Sequence, residues 1–97
     1  MNQFIIVGRI VKDLEKDSND ITIVIQRHYK NENGEYETDF VDVAIDGTLA
    51  KTTIEYCKKG DIIGVKGSIR SEKSNDIRKM ILVAERVTFL SSKKADE

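Results

Sequence analysis

Apolar side chains recur at every second position in four separate runs of this chain, and there is no proline anywhere. A period of two is the signature of extended backbone with one covered face. Ile21, Ile23 and Ile25 alternate with Thr22, Val24 and Gln26, and Val41, Val43 and Ile45 alternate with Phe40, Asp42 and Ala44. In residues 61–70, Ile63, Val65 and Ile69 fall opposite Lys66, Ser68 and Arg70; in residues 77–90, Ile81, Val83, Val87 and Phe89 share one phase. Residues 4–11 differ, being apolar throughout except for Gly8 and Arg9. That strand needs cover on both faces.

The breaks fit five strands. Asp17-Ser18-Asn19-Asp20 separates the first two, and Asn31-Glu32-Asn33-Gly34 is a hairpin signal between the next two. Residues 71–76 read as a polar loop before the last strand. Between the third and fourth strands lies the one helical candidate, residues 48–59. There Leu49, Ala50, Ile54 and Cys57 share a face, with Lys58 and Lys59 in the last turn and Gly60 as the stop. The order predicts an all-β chain folded as a five-stranded OB-fold barrel with one short helix between strands 3 and 4. Gly8, Gly64 and Gly67 suit a small barrel that needs bulges and close backbone approach. Residues 1–90 form this single domain, and residues 91–97 are a short polar tail expected to fray. The second face of the first strand is covered either within the chain or by a twin subunit.

A chain of 97 residues can bury roughly 65% of its unfolded surface, enough for one core without staples. The single Cys57 cannot close an intrachain bridge, the N-terminus has no signal-peptide pattern, and no apolar run is long enough to span a membrane. These features point to a reducing cytoplasm. With His28 the only histidine, neither a metal cluster nor a histidine-based triad can be assembled in one chain, and no phosphate-cradling glycine loop occurs. Catalysis, metals and cofactors are therefore not expected. Net charge is −1, which argues against bulk positive attraction for nucleic acid. The charge is nevertheless uneven. Residues 32–46 carry six acids and no base, whereas residues 66–79 carry five bases against two acids. Either one basic and one acidic face results, or an ordinary mixed surface.

Several strings in this order resemble the bacterial single-stranded DNA-binding protein family. Met1-Asn2-Gln3-Phe4-Ile5-Ile6-Val7-Gly8-Arg9-Ile10 is similar to the family's opening. Gln26-Arg27-His28-Tyr29-Lys30-Asn31, then Gly34-Glu35 and Thr38-Asp39-Phe40, resemble its second hairpin. Gly47, Leu49 and Ala50, then Tyr56, Lys58, Lys59 and Gly60, then Val65, Gly67 and Ile69, match its helix and fourth strand. The resemblance covers about residues 1–90. It implies an OB-fold, a homo-oligomer (tetramer or dimer), no catalysis and no cofactor. It also implies single-stranded DNA as partner, a role in replication, recombination or repair, contacts to replication or recombination proteins, and a nucleoid-associated place in the cytoplasm. Tyr29 and Phe40 keep two of the family's stacking positions as aromatics; Asp46 stands where the family commonly has another. The family's glycine-rich linker and acidic tail have no counterpart here, which points to an accessory, phage, plasmid or mobile-element form.

A binder of unpaired bases needs ring faces beside a cationic track. Phe40 lies in the polar phase of its strand, so it is a base platform or an interface residue. Tyr29 shares the phase of Ile21, Ile23 and Ile25, which leaves stacking and core burial both open. Tyr36, near the hairpin tip, either stacks or decorates the loop. Phe4 and Phe89 are expected in the core, and Tyr56 against the helix. Arg27 and Lys30 flank Tyr29; Lys66 and Arg70 share a face of strand four; Lys73 and Lys79, with Arg78, sit on or beside the following loop. The expected DNA-binding set is thus Arg27, Tyr29, Lys30, Tyr36, Phe40, Lys66, Arg70, Lys73 and Lys79. The rivals are a primosomal or assembly protein of the same fold that contacts a replication partner, and a protein-interaction module that takes no nucleic acid.

Overall fold

Period-two alternation becomes inside and outside once the strands close. In the computed structural model, which describes residues 1–92, the elements are β1 (Phe4–Ile10), β2 (Asp20–Lys30), β3 (Tyr36–Ala44), α1 (Gly47–Tyr56), β4 (Ile62–Ser74) and β5 (Ile77–Ser91). The strands close into a barrel in the order β1-β2-β3-β5-β4. The expected five-stranded barrel with one helix between strands 3 and 4 is what the chain adopts. Ile10, Ile21, Ile23, Val43, Ile45, Ile63 and Val65 are fully buried at its centre. Each such side chain contributes roughly 1.5–3 kcal/mol by leaving water.

The helix closes the end of the barrel reached by the last turn of β3. Ala50 and Cys57 are buried, with Leu49 packed against them, as the spacing predicted. It stops earlier than expected, at Tyr56. The basic last turn is therefore absent: Lys58 and Lys59 lie in the loop, where Asp61 accepts from the Lys58 backbone N–H. Tyr56 was expected against the helix but is largely exposed.

Two hairpins leave the other end. Only Val43–Leu82 and Ala44–Val83 pair across the parallel β3–β5 seam. Parallel strands start at the same end, so the β2–β3 and β4–β5 turns both project there, beyond the closure point. The polar loop expected over residues 71–76 is not a loop. β4 runs on to Ser74, β5 restarts at Ile77, and the ladder continues through Ser71–Met80 and Lys73–Arg78 to Ser74–Ile77. The turn is Asn75-Asp76 alone, both with positive φ (52° and 64°). Two left-handed residues in a row make the tight turn whose twist matches a hairpin, and Asn and Asp tolerate that conformation best after glycine.

Gly67 sits where the β4–β5 register slips. A Cβ there would strike the Val83 carbonyl oxygen and approach the Phe4 ring at 2.8 Å, so only glycine lets the two backbones meet. Phe4 and Val87 pack on the core. Phe89 does not: it shares the inward phase, paired with Ile63, yet forms the last pair before a second register slip at the barrel's end and is 49% exposed. The polar tail begins later than expected, because Ser91 still belongs to β5; residues 93–97 lie outside the described residues.

Candidate nucleic-acid interface

Cross-strand partners share a face, so register sorts the candidate residues. Thr22–Asp42, Val24–Phe40, Gln26–Thr38 and Lys30–Tyr36 are opposed on β2 and β3. Because Ile21–Val43 and Ile23–Val41 point into the core, this second set points outward. Phe40 is 69% exposed on that outward face. Its neighbour Val24 is in turn opposed to Arg9 of β1, so three strands build the surface around the ring. Tyr36 lies on the same face nearer the tip, with the Lys30 ammonium 5.7 Å from its ring centroid.

Tyr29 resolves differently from its phase. Between the pairs Gln26–Thr38 and Lys30–Tyr36, residues 27–29 stand opposite Glu37 alone. That bulge breaks the alternation beyond the barrel's mouth, and Tyr29 is exposed, edge-on to His28 with ring centroids 5.5 Å apart. Core burial of Tyr29 fails because the strand outruns the core before reaching it.

Arg27 is already engaged. Ile25 opposes Asp39, so Asp39 stands on the inward phase of the hairpin. The Arg27 guanidinium donates to both Asp39 oxygens, at 3.0 and 2.9 Å, and to Glu37 Oε2 at 3.0 Å. The hydrogen bond from Arg27 holds the Asp39 carboxyl below its usual value, and the pair of acids pulls Arg27 further up. The clamp ties up Arg27, expected as a phosphate contact, with acids of its own hairpin. The signal was present: an arginine and two acids on facing arms of one predicted hairpin.

On the β4–β5 side, Lys66 is opposed to Arg86 and to Ile5, Arg70 to Ile81, and Lys79 to Glu72. These three candidate cations share the outward face. Lys73 does not join them. It is opposed to Arg78 on the inward-phase face, which continues from the buried pair Gly67–Ala84 through Ile69–Leu82. The structure therefore gathers Phe40, Tyr36 and Lys30 on one hairpin and Lys66, Arg70 and Lys79 on the next strands, all outward. It sets Lys73 apart. Asp42, which would intrude on Phe40's face, accepts a hydrogen bond from Thr22 at 2.6 Å. Among the described residues, no group of three or more His, Cys, Asp or Glu side chains is placed to hold a metal ion, and no helix is long and apolar enough to cross a membrane.

The first strand answers the question its composition raised. Ile5 and Val7 are 67% and 53% exposed. The described residues leave that face open.

Comparison with known proteins places these features in a family. Residues 1–90 match the single-strand binding protein family. Single-stranded DNA-binding protein 1 of Clostridium acetobutylicum is 36% identical, over 97% of this chain and 97% of its own length. Single-stranded DNA-binding protein B of Bacillus subtilis is 29% identical, over 99% and 96%. Among solved structures, the single-stranded DNA-binding protein of Thermus aquaticus superposes with a TM-score of 0.80 at 17% identity, over 97% of this chain; this chain spans about half (52%) of that one. A Plasmodium falciparum protein solved in complex with single-stranded DNA superposes at 0.69 with 16% identity, over 94% of this chain and 96% of that one. At such identities the superpositions speak for the fold.

Proposed function

The chain belongs to the single-strand binding protein family, and from that premise we propose that it binds single-stranded DNA without sequence preference, as a homo-oligomer, in DNA replication, recombination or repair. The observation that carries this reading is Phe40. A large ring 69% exposed on a strand, out of phase with the core and opposed to Val24, has no packing role to explain it. A base does explain it, because stacking on a flat apolar ring is sequence-tolerant and worth about 1–3 kcal/mol per base.

Tyr29 and Tyr36 extend the platform along the β2–β3 hairpin. Lys30, Lys66, Arg70 and Lys79 supply outward-facing charge for the phosphates, and Lys73 supplies it on the other face of the second hairpin. Arg27 joins this set only when its carboxylate partners release it. With few ring platforms and a net charge of −1, attraction is local to these strands. The exposed Ile5 and Val7 of β1 suit a second copy of the chain. Association with the nucleoid, and contacts with replication or recombination proteins, follow from occupancy of single-stranded DNA.

Titration with poly(dT) at low salt, followed by tyrosine emission, tests the reading. Quenching with an affinity that falls as salt rises, by about 0.7 log units per log unit of salt for each phosphate neutralised, supports it. No binding at low salt overturns it in favour of an interaction module.

A further inference from the structure

The seam between β3 and β5 is paired at only two positions, Val43–Leu82 and Ala44–Val83. Away from the helix, β3 stays paired with β2 out to Tyr36, and β5 with β4 out to Ile77. Each projecting arm thus has one paired edge and one open edge, and the open edges of β3 and β5 lie on the two sides of the same seam. An open edge is a row of unpaired N–H and C=O groups, a template for another strand. Because the two strands are parallel and already in register, the continuation is fixed. Stepping outward brings Asp42 abreast of Ile81, Val41 of Met80, Phe40 of Lys79 and Asp39 of Arg78.

Three of those four pairs are complementary. Val41 packs against the core and Met80 is 74% exposed; both are on the inward phase, so pairing covers the thioether with an apolar neighbour. Phe40 and Lys79 are both outward, a ring beside a cation. Asp39 and Arg78 are both on the inward phase and carry opposite charges. Two positions further out stand Glu37 and Asp76, two acids abreast, where pairing stops. A register shifted by two residues sets Asp39 beside Met80 or beside Asp76 and loses the match. Arg78 also gains by moving. In the open arms it is directly opposed by Lys73, and like charges in that position repel. Asp39, for its part, is held by Arg27.

We propose that the β3–β5 seam zips from Val43–Leu82 out to Asp39–Arg78, and that closure passes Asp39 from Arg27 to Arg78 and frees Arg27. The inference rests on the single-stranded DNA reading above and gives it a two-state element. In the open state Arg27 is clamped and Phe40 stands apart from Lys79; in the closed state Arg27 is available to a phosphate and Lys79 lies beside the ring. DNA that engages Arg27 binds the closed state better, so it shifts the population toward closure, and closure raises affinity by the same factor.

The full-length chain carrying Cys57→Ala, Val41→Cys and Met80→Cys tests this. Paired strands lie about 4.8 Å apart, within the span of a disulfide, and splayed arms do not. In a glutathione buffer the two introduced thiols reduce one glutathione disulfide to two glutathiones and form one bond within the chain, so the equilibrium yield reads the closed population. A thymidine oligomer should raise the yield several-fold. The bridged chain should bind the oligomer more tightly by that factor, with a salt slope steeper by about 0.7 for Arg27. Adding Arg78→Gln, which touches neither thiol, should cut the yield several-fold. Thr38→Cys with Met80→Cys, on opposite faces, should not bridge. If the trapped variant does not fold, spin labels at Asn33→Cys and Asn75→Cys in the Cys57→Ala chain report the same closure, because the hairpin tips approach when the oligomer is added.

An oligomer that binds yet leaves the yield and the tip distance unchanged overturns the closure and leaves the main reading standing. A bridge that forms between chains rather than within one assigns the open edges to a second copy and also overturns it. No binding of the oligomer by the parent overturns both.

Discussion

Arg27 donates to both carboxylate oxygens of Asp39, Nε to Oδ2 at 3.0 Å and Nη2 to Oδ1 at 2.9 Å, while its remaining Nη1 reaches Glu37. A bidentate carboxylate occupies the same fork that a phosphate would. Asp39 therefore competes with DNA for the one cation at the base of the β2–β3 hairpin. Asp39→Asn should free Arg27, raise affinity for single-stranded DNA several-fold and steepen the salt slope by about 0.7. A salt titration of the variant beside the parent checks this; an unchanged slope means Arg27 never reaches phosphate.

The same clamp gives a pH dependence. Asp39 titrates lower in the folded chain than when unfolded, chiefly because Arg27 hydrogen-bonds its charged form. Its contribution to stability is thus complete above the ordinary carboxylate value, about 4, and is lost as pH falls through the lowered folded-state value. The stability gap between the parent and Asp39→Asn, measured by urea midpoints, should close on going from pH 7 toward pH 3. Over the same range Arg27 is released.

Phe40 tests whether binding and folding are separable. Its ring is largely exposed and lies on the outward phase, so Phe40→Ala should leave stability within about 0.5 kcal/mol. Loss of one stack should weaken DNA binding by about 1–3 kcal/mol, roughly five- to 150-fold. Denaturation and poly(dT) titration of the same preparation give both numbers. A collapse in stability means the ring faces inward.

What the sequence made legible was phase. Alternation placed Ile21, Ile23, Val43, Ile63 and Val65 inside and Phe40 outside, and strand order with one helix gave the barrel. It failed where the period is interrupted. Phe89 keeps the inward phase but forms the last pair before a register slip at the end of the barrel, and Tyr29 lies within a bulge. Residues 71–76 looked like a loop because both faces of a projecting hairpin are polar. The cross-strand ladder continues through them to a turn of two left-handed residues, Asn75-Asp76. The clamp on Arg27 was hidden for another reason: its partners are ten and twelve residues away, and only the hairpin register brings them together.

Gly67 and Gly64 provide a contrast within one strand. A methyl at Gly67 meets the Val83 carbonyl and the Phe4 ring, whereas at Gly64 it reaches Leu90 at 3.7 Å and Val7 at 3.9 Å, ordinary contacts. Gly67→Ala should destabilise by about 1–3 kcal/mol or more, through overpacking against backbone that cannot yield. Gly64→Ala should change stability little. Thermal or urea unfolding of the two variants separates them, and equal losses contradict the backbone approach.

The outward surface around Gly64 also bears on assembly. Val7 of β1 and Leu90 of β5 both come within 4 Å of the point where a Gly64 side chain would begin, and Ile5 extends the patch along β1. A strand apolar on both faces, covered on only one, exposes surface that water disfavours, and a twofold-related copy offers the same patch in return. The parent should therefore sediment at a multiple of 11.0 kDa. Val7→Glu would place a charge in the middle of that contact, where burial without a partner is costly. It should yield a folded monomer, because Val7 makes no part of the core. Sedimentation equilibrium decides: a parent that is monomeric at micromolar concentration removes the second copy from the account, and a Val7→Glu chain that still associates moves the contact elsewhere.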